Sequence, residues 1–125
     1  MSEKKRTLAD VEQDEQKTAK SLENLEVDEK RLERFEEATE NSFGETLAEF
    51  RWLGESPLSR QDRQDLDDMT LSYDHTKRFV SDDLADYHDK LKKQKVALEK
   101  EQDKLSEERQ RLLAEEEKEK EKSDG

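Results

Sequence analysis

His75 and His88 are the only imidazoles in the chain, and each adjoins an aspartate, Asp74 and Asp89. Histidines beside carboxylates could ligate zinc or share a proton in general acid–base catalysis. These two are separated by thirteen positions in an acid-rich helical stretch and have no cysteine to join them, so they read as solvated side chains. The run Asp65-Leu66-Asp67-Asp68 opens like a calcium loop. It fails at the sixth position, Thr70, where a glycine must make the sharp turn, and at the twelfth, Thr76, where a bidentate glutamate belongs. Three glycines leave no loop to cradle a phosphate, and the carboxylates are spread along the chain without a pocket to perturb them. The expectation is a non-enzyme with no catalytic residue, metal site or cofactor.

The elements that carry these residues must be helices. Of 125 residues, 48% are charged and 28% hydrophobic, and the formal net charge is −12. Leu, Val and Phe, with no Ile, make up only about 18% of the chain, which borders on disorder and is too little for a globular core. A pair of helices needs less, because each buries one stripe and solvates the rest. Leu84, Leu91, Leu98, Leu105 and Leu112 recur every seventh residue, the period of a coiled-coil seam. No run alternates apolar with polar as a strand would. The single proline, Pro57, marks where the chain can fold back. The fold class is therefore all-α, a long antiparallel two-helix hairpin resembling a coiled coil, with its turn near residues 53–58.

Helix one is expected over 7–52. Thr7-Leu8-Ala9-Asp10 has the form of a capping box, and apolar residues from Leu8 through Val11, Leu22, Leu25, Leu32 and Phe43 to Phe50 hold one face. Gly54 is placed to cap its end in the left-handed conformation. A kink near Gly44 stays open, since glycine lowers helix propensity there and Ser42 with Glu45 offers a second cap. Helix two is expected over 57–113. Its cap is Ser56, which puts Pro57 at the first helical position, or alternatively Ser59. Residues 1–6 are expected to be a disordered N-terminus, and the charged tail 114–125, which has no apolar face, to fray.

Folding about residues 54–58 makes opposed residue numbers total about 113 in an antiparallel pair. Leu8 then meets Leu105, Leu22 meets Leu91, Leu25 lies by Tyr87, Leu32 by Val80 or Leu84, and Phe35 by Phe79. Phe43 falls near Met69 and Leu71, and Phe50 near Leu66. The half of the hairpin away from the turn is lean, with one leucine per heptad on helix two. The half near the turn holds more apolar surface than two helices can hide from each other. The partner-binding candidates are accordingly Phe43, Leu47, Phe50, Trp52, Leu53, Gly54, Leu66, Met69 and Phe79.

Charge bears on the kind of partner. The acidic balance argues against nucleic acid, which needs a cationic surface. Residues 61–89 carry nine Asp against Arg63, Lys77 and Arg78, which is either a solvated helix face or a docking face for a basic helix. No segment approaches the ~20 apolar residues of a membrane span or has the apolar core of a signal peptide. No membrane insertion is expected. The expected location is cytoplasmic, with export alongside a partner left open.

Trp52-Leu53-Gly54 between two helices resembles the turn of the WXG-type helical hairpins of bacterial type VII secretion. The longer, more charged layout over residues 7–113 is similar to the small helical proteins that accompany LXG toxins. The resemblance implies a targeting adaptor or chaperone that binds the N-terminal helical region of such a toxin, often with a second small helical protein. An aromatic residue followed four positions later by an acid is a further feature of that family. Phe79 and Asp83 match it at no more than chance frequency and lie inside helix two, so no export role is assigned to them. The alternative is a self-associating structural or export-apparatus coiled coil. It would resemble the helical-hairpin stalk proteins of type III secretion, or would form a homodimer zipper along Leu84–Leu112.

Overall fold

The computed structural model describes residues 6–124. Among them are two α-helices packed against each other in antiparallel fashion, α1 (Leu8–Gly54) and α2 (Arg60–Asp124). The all-α hairpin expected from the heptads is the fold. Its helix ends follow from local hydrogen bonding. At the start of α1, the Asp10 N–H donates to Thr7 Oγ1 at 3.2 Å and the Thr7 N–H donates to Asp10 Oδ2 at 3.0 Å. This reciprocal box satisfies two of the four amide donors that a helix N-terminus leaves without partners.

The turn differs from the expectation in two respects and adds one contact for which there was no expectation. First, α1 continues two residues beyond Trp52 and ends in two tight bonds, Glu55 N–H to the Trp52 carbonyl at 3.2 Å and Ser56 N–H to the Leu53 carbonyl at 3.1 Å. Such three-residue bonds satisfy terminal carbonyls without a left-handed residue, and no glycine among the described residues has positive φ. Gly54 is an ordinary last helical residue. Second, Ser59 rather than Ser56 caps α2: its Oγ accepts from the Asp62 N–H at 3.1 Å, and its carbonyl accepts from the Arg63 N–H at 2.9 Å. Pro57 therefore sits in the connection, not at the first helical position. Third, the Arg63 guanidinium donates to the Gly54 carbonyl at 3.4 Å, placing a cation at the negative end of α1.

Both the Gly44 region and the charged tail are continuous helix among the described residues. Helix α1 runs unbroken through Gly44, where an added Cβ would meet nothing within 4 Å. Helix α2 continues past residue 113 to Asp124, although 114–123 are all exposed. Glu and Lys are strong helix formers, and Glu116 precedes Lys120 by the four residues that favour a helical ion pair. Propensity carries this turn of helix where packing does not. Of the expected disordered N-terminus, residues 1–5 lie outside the described residues, and Arg6 is fixed by ion pairs to Asp14 at 2.7 Å and Glu108 at 2.9 Å.

The chain divides into two compact units, each containing part of both helices. The outer unit comprises Met1–Val27 with Leu91–Gly125. Its buried residues are Val11, Thr18, Leu25, Leu91 and Leu105. Val11, Thr18 and Leu25 repeat every seven residues, as do Leu91, half-buried Leu98 and Leu105. This is one layer per heptad, the lean packing that the leucine spacing implies. Arg109 lies 3.7 Å from Glu15 and 4.0 Å from Glu12 across the same pair of helices. Such half-exposed pairs contribute about 0–1 kcal/mol each, so they guide alignment more than they stabilise.

The inner unit comprises Asp28–Lys90. Its only buried apolar residue is Leu32. The whole chain exposes 10788 Å², against about 7,000 Å² for a compact monomer of its mass. Each helix hides a stripe and little else.

Candidate partner-binding surface

Inside the inner unit the nine candidate residues separate into two groups. Phe43, Leu47, Phe50, Gly54 and Leu66 are half-buried on the seam between α1 and α2. The Phe43 ring meets the edge of Tyr73 at a centroid distance of 5.1 Å, and Phe50 meets the same ring at 5.6 Å. Leu66 Cδ2 lies 3.7 Å from the position a Cβ would take on Gly54. These residues hold the hairpin closed. Trp52, Leu53, Met69 and Phe79 are exposed, Trp52 by 68% and Phe79 by 69%.

Helical geometry explains the division. Phe43, Leu47, Phe50 and Gly54 step by four, three and four residues and stay on one side of α1. Trp52 follows Phe50 by two residues, about 200° around the helix, so it points away from α2. Leu71 stands in the same relation to Tyr73. The expected register also shifts. The Tyr73 ring sits between Phe43 and Phe50, Glu36 pairs with His88 and Gly54 adjoins Leu66, so opposed residue numbers total 116 to 124 rather than about 113. Phe35 and Phe79, expected to cover each other, are both exposed; Leu91 and Leu105 are buried, while Leu22 and Leu8, expected opposite them, are half-buried.

The nine candidates omitted Phe35, Leu71 and Tyr87, which are also exposed in the inner unit. Tyr73 is the ring on which two phenylalanines of α1 converge, a role that its place in the apolar stripe did not reveal. The signal for Leu71 was available, since two apolar residues separated by one position cannot share a helical seam.

Polar chemistry in this unit is dispersed. His88 Nε2 stands 2.5 Å from Glu36 Oε1, linking α2 to α1, and Arg78 pairs with Asp74 along α2 at 3.2 Å. The other histidine, His75, is exposed on α2. Thr70 Oγ1 donates to the Leu66 carbonyl at 2.8 Å and Thr76 Oγ1 to the Ser72 carbonyl at 3.1 Å. Among the described residues, no three His, Cys, Asp or Glu side chains gather where they could hold a metal ion. No described helix is long and apolar enough to cross a membrane. No protein-family model, curated protein or solved structure matches the chain. The site is thus defined by its residues: seven large exposed apolar side chains in the inner unit, against Val27, Val96 and Leu113 in the outer.

Proposed function

We propose that this protein is a non-catalytic helical adaptor whose inner unit is completed by a helical partner. The observation that carries the reading is the concentration of exposed Phe35, Trp52, Leu53, Met69, Leu71, Phe79 and Tyr87 around a seam whose one buried apolar residue is Leu32. Fully burying one such side chain contributes about 1.5–3 kcal/mol, so a covering helix has a substantial driving force. Single exposed apolar residues need no explanation, but a group of this size in one unit of a highly charged chain does.

The resemblance carried by Trp52-Leu53-Gly54 gives the partner its proposed identity. It is the N-terminal helical region of an LXG-type toxin, which the adaptor would bind in the cytoplasm and target for type VII secretion, alone or with a second small helical protein. The alternative, a self-associating coiled coil, is less well supported. Leu91 and Leu105 of its zipper are already buried within the hairpin, and Leu84, Leu98 and Leu112 are half-buried.

Co-expression with the adjacent reading frames, followed by size-exclusion chromatography and mass analysis, tests the reading. A defined hetero-complex with a helical toxin segment is the expected result. Homodimers alone, with no hetero-complex, would replace the adaptor by the self-associating coiled coil.

A further inference from the structure

Each helix of the inner unit carries a second seam beside the one that closes the hairpin. On α1 the steps run Phe35, Thr39, Ser42, Thr46, Glu49 and Leu53, alternating four and three residues. On α2 the same alternation runs Met69, Tyr73, Thr76, Val80, Asp83 and Tyr87. Two of these twelve positions are charged in a chain that is 48% charged. Thr39, Thr46, Tyr73 and Val80 are half-buried and form the floor, while Phe35, Leu53, Met69 and Tyr87 are exposed. The Thr76 hydroxyl is satisfied by the Ser72 carbonyl, so covering it strands no donor.

The two seams lie on the same flank. On the opposite side, Arg51 of α1 and Asp67 of α2 line one cleft together. That cleft pairs one side of α1 with one side of α2, and the remaining sides adjoin in consequence. The opposite flank is charged, carrying Glu37, Glu40, Arg51, Asp67, Asp74 and Lys77.

The border of the uncharged flank identifies what covers it. Glu45 and Glu49 lie along the α1 edge, and the bases Arg31, Arg34 and Lys90 lie at the far end of the flank, beyond Phe35 and Tyr87. Asp65, Asp68, Asp82, Asp83 and Asp86 lie along the α2 edge. A second copy would set acidic edge against acidic edge, at a cost that favours a different chain. Building on the adaptor reading, we infer that this flank is the docking groove for one amphipathic helix whose apolar stripe is bordered by Lys and Arg. The groove from Phe35 to Leu53 spans about 27 Å at 1.5 Å per residue, or about five helical turns of partner.

Two labelled 21-residue helical peptides with the same Leu/Ala stripe, one edged with Lys and one with Glu, test this against the full-length protein. The Lys-edged peptide is expected to bind at least ten-fold more tightly than the Glu-edged one. The paired change Phe35→Ser and Met69→Ser, which leaves net charge untouched, should weaken its binding at least ten-fold. Val96→Ser, at a position exposed by 45% in the outer unit, should change it less than two-fold. Circular dichroism of each variant checks that the helices persist. Equal affinity for both peptides, or equal sensitivity to the flank and Val96 changes, would overturn the inference in favour of diffuse attraction to an acidic chain. Dimerisation of the protein alone, abolished by the flank variant, would assign the groove to a second copy instead. If the co-expressed hetero-complex forms but ignores the flank variant, the groove fails and the adaptor stands. If the Lys-edged peptide binds by the flank but no hetero-complex forms, the proposed partner fails and the groove stands.

Discussion

Thr7, Gly44, Trp52 and Ser59 show how single residues set this structure, and three of them give clean tests. The Ser59 hydroxyl caps α2, whereas Ser56 accepts no described helix-capping bond. Ser59→Ala should therefore cost about 1 kcal/mol in urea unfolding, and Ser56→Ala almost nothing. Had Pro57 occupied the first helical position, the order would be reversed. Gly44 lies inside continuous helix with open space around its missing Cβ. Gly44→Ala should stabilise the fold by about 1 kcal/mol, read as a raised denaturation midpoint. Trp52 and Phe50 are close in sequence but have different duties. Trp52→Ala should leave the melting temperature unchanged and remove partner binding, measured by co-purification. Phe50→Asp puts a carboxylate beside Tyr73 on the seam, so it should destabilise the hairpin itself and cannot report on the partner surface alone.

At the scale of the helices, the leucine stripe serves the hairpin rather than a separate zipper. Leu105 is 2% exposed in the outer unit, where each heptad supplies one apolar layer. Leu105→Ala should cost about 2–5 kcal/mol in chemical denaturation, because the cavity cannot be filled from a neighbouring layer. A change confined to aggregation state, with monomer stability retained, would instead mark Leu105 as a contact between copies. The helix ends were legible where the signal was local. The Thr7–Asp10 box depends on four consecutive residues, and its hydrogen bonds form as that spacing dictates. The start of α2 was not legible to the same degree, because Ser56 and Ser59 offer equivalent hydroxyls. Contacts across the turn, such as Arg63 with the Gly54 carbonyl, accompany the choice of Ser59.

For the molecule as a whole, the contrast between units predicts how binding should register. The outer unit buries Val11, Thr18, Leu25, Leu91 and Leu105, while the inner unit buries Leu32 and leaves seven large apolar side chains exposed. Amide exchange in the free protein should accordingly be faster in residues 28–90 than in the buried heptads of the outer unit. Partner binding should slow exchange chiefly within 28–90, and a partner at 100 times its Kd should add about 2.7 kcal/mol to stability. Uniform protection along both helices would point to a partner that covers the outer unit as well.

The sequence alone determined that the chain is helical, that it folds back near Pro57, and that apolar surface accumulates beside that turn. These follow from periodicity, propensity and a single breaker, all of which act over a few residues. Only the tertiary structure decided which apolar residues close the hairpin and which remain for a partner. The reason is geometric: residues two positions apart lie about 200° apart around a helix, so Trp52 and Leu71 face away from the seam that Phe50 and Tyr73 occupy. Phe43, Phe50 and Leu66 lie half-buried on the seam, and Trp52, Leu71 and Phe79 face solvent. The choice depended on where α1 ended and α2 began, which was settled by hydrogen bonds at the turn and by Tyr73 packing between two phenylalanines.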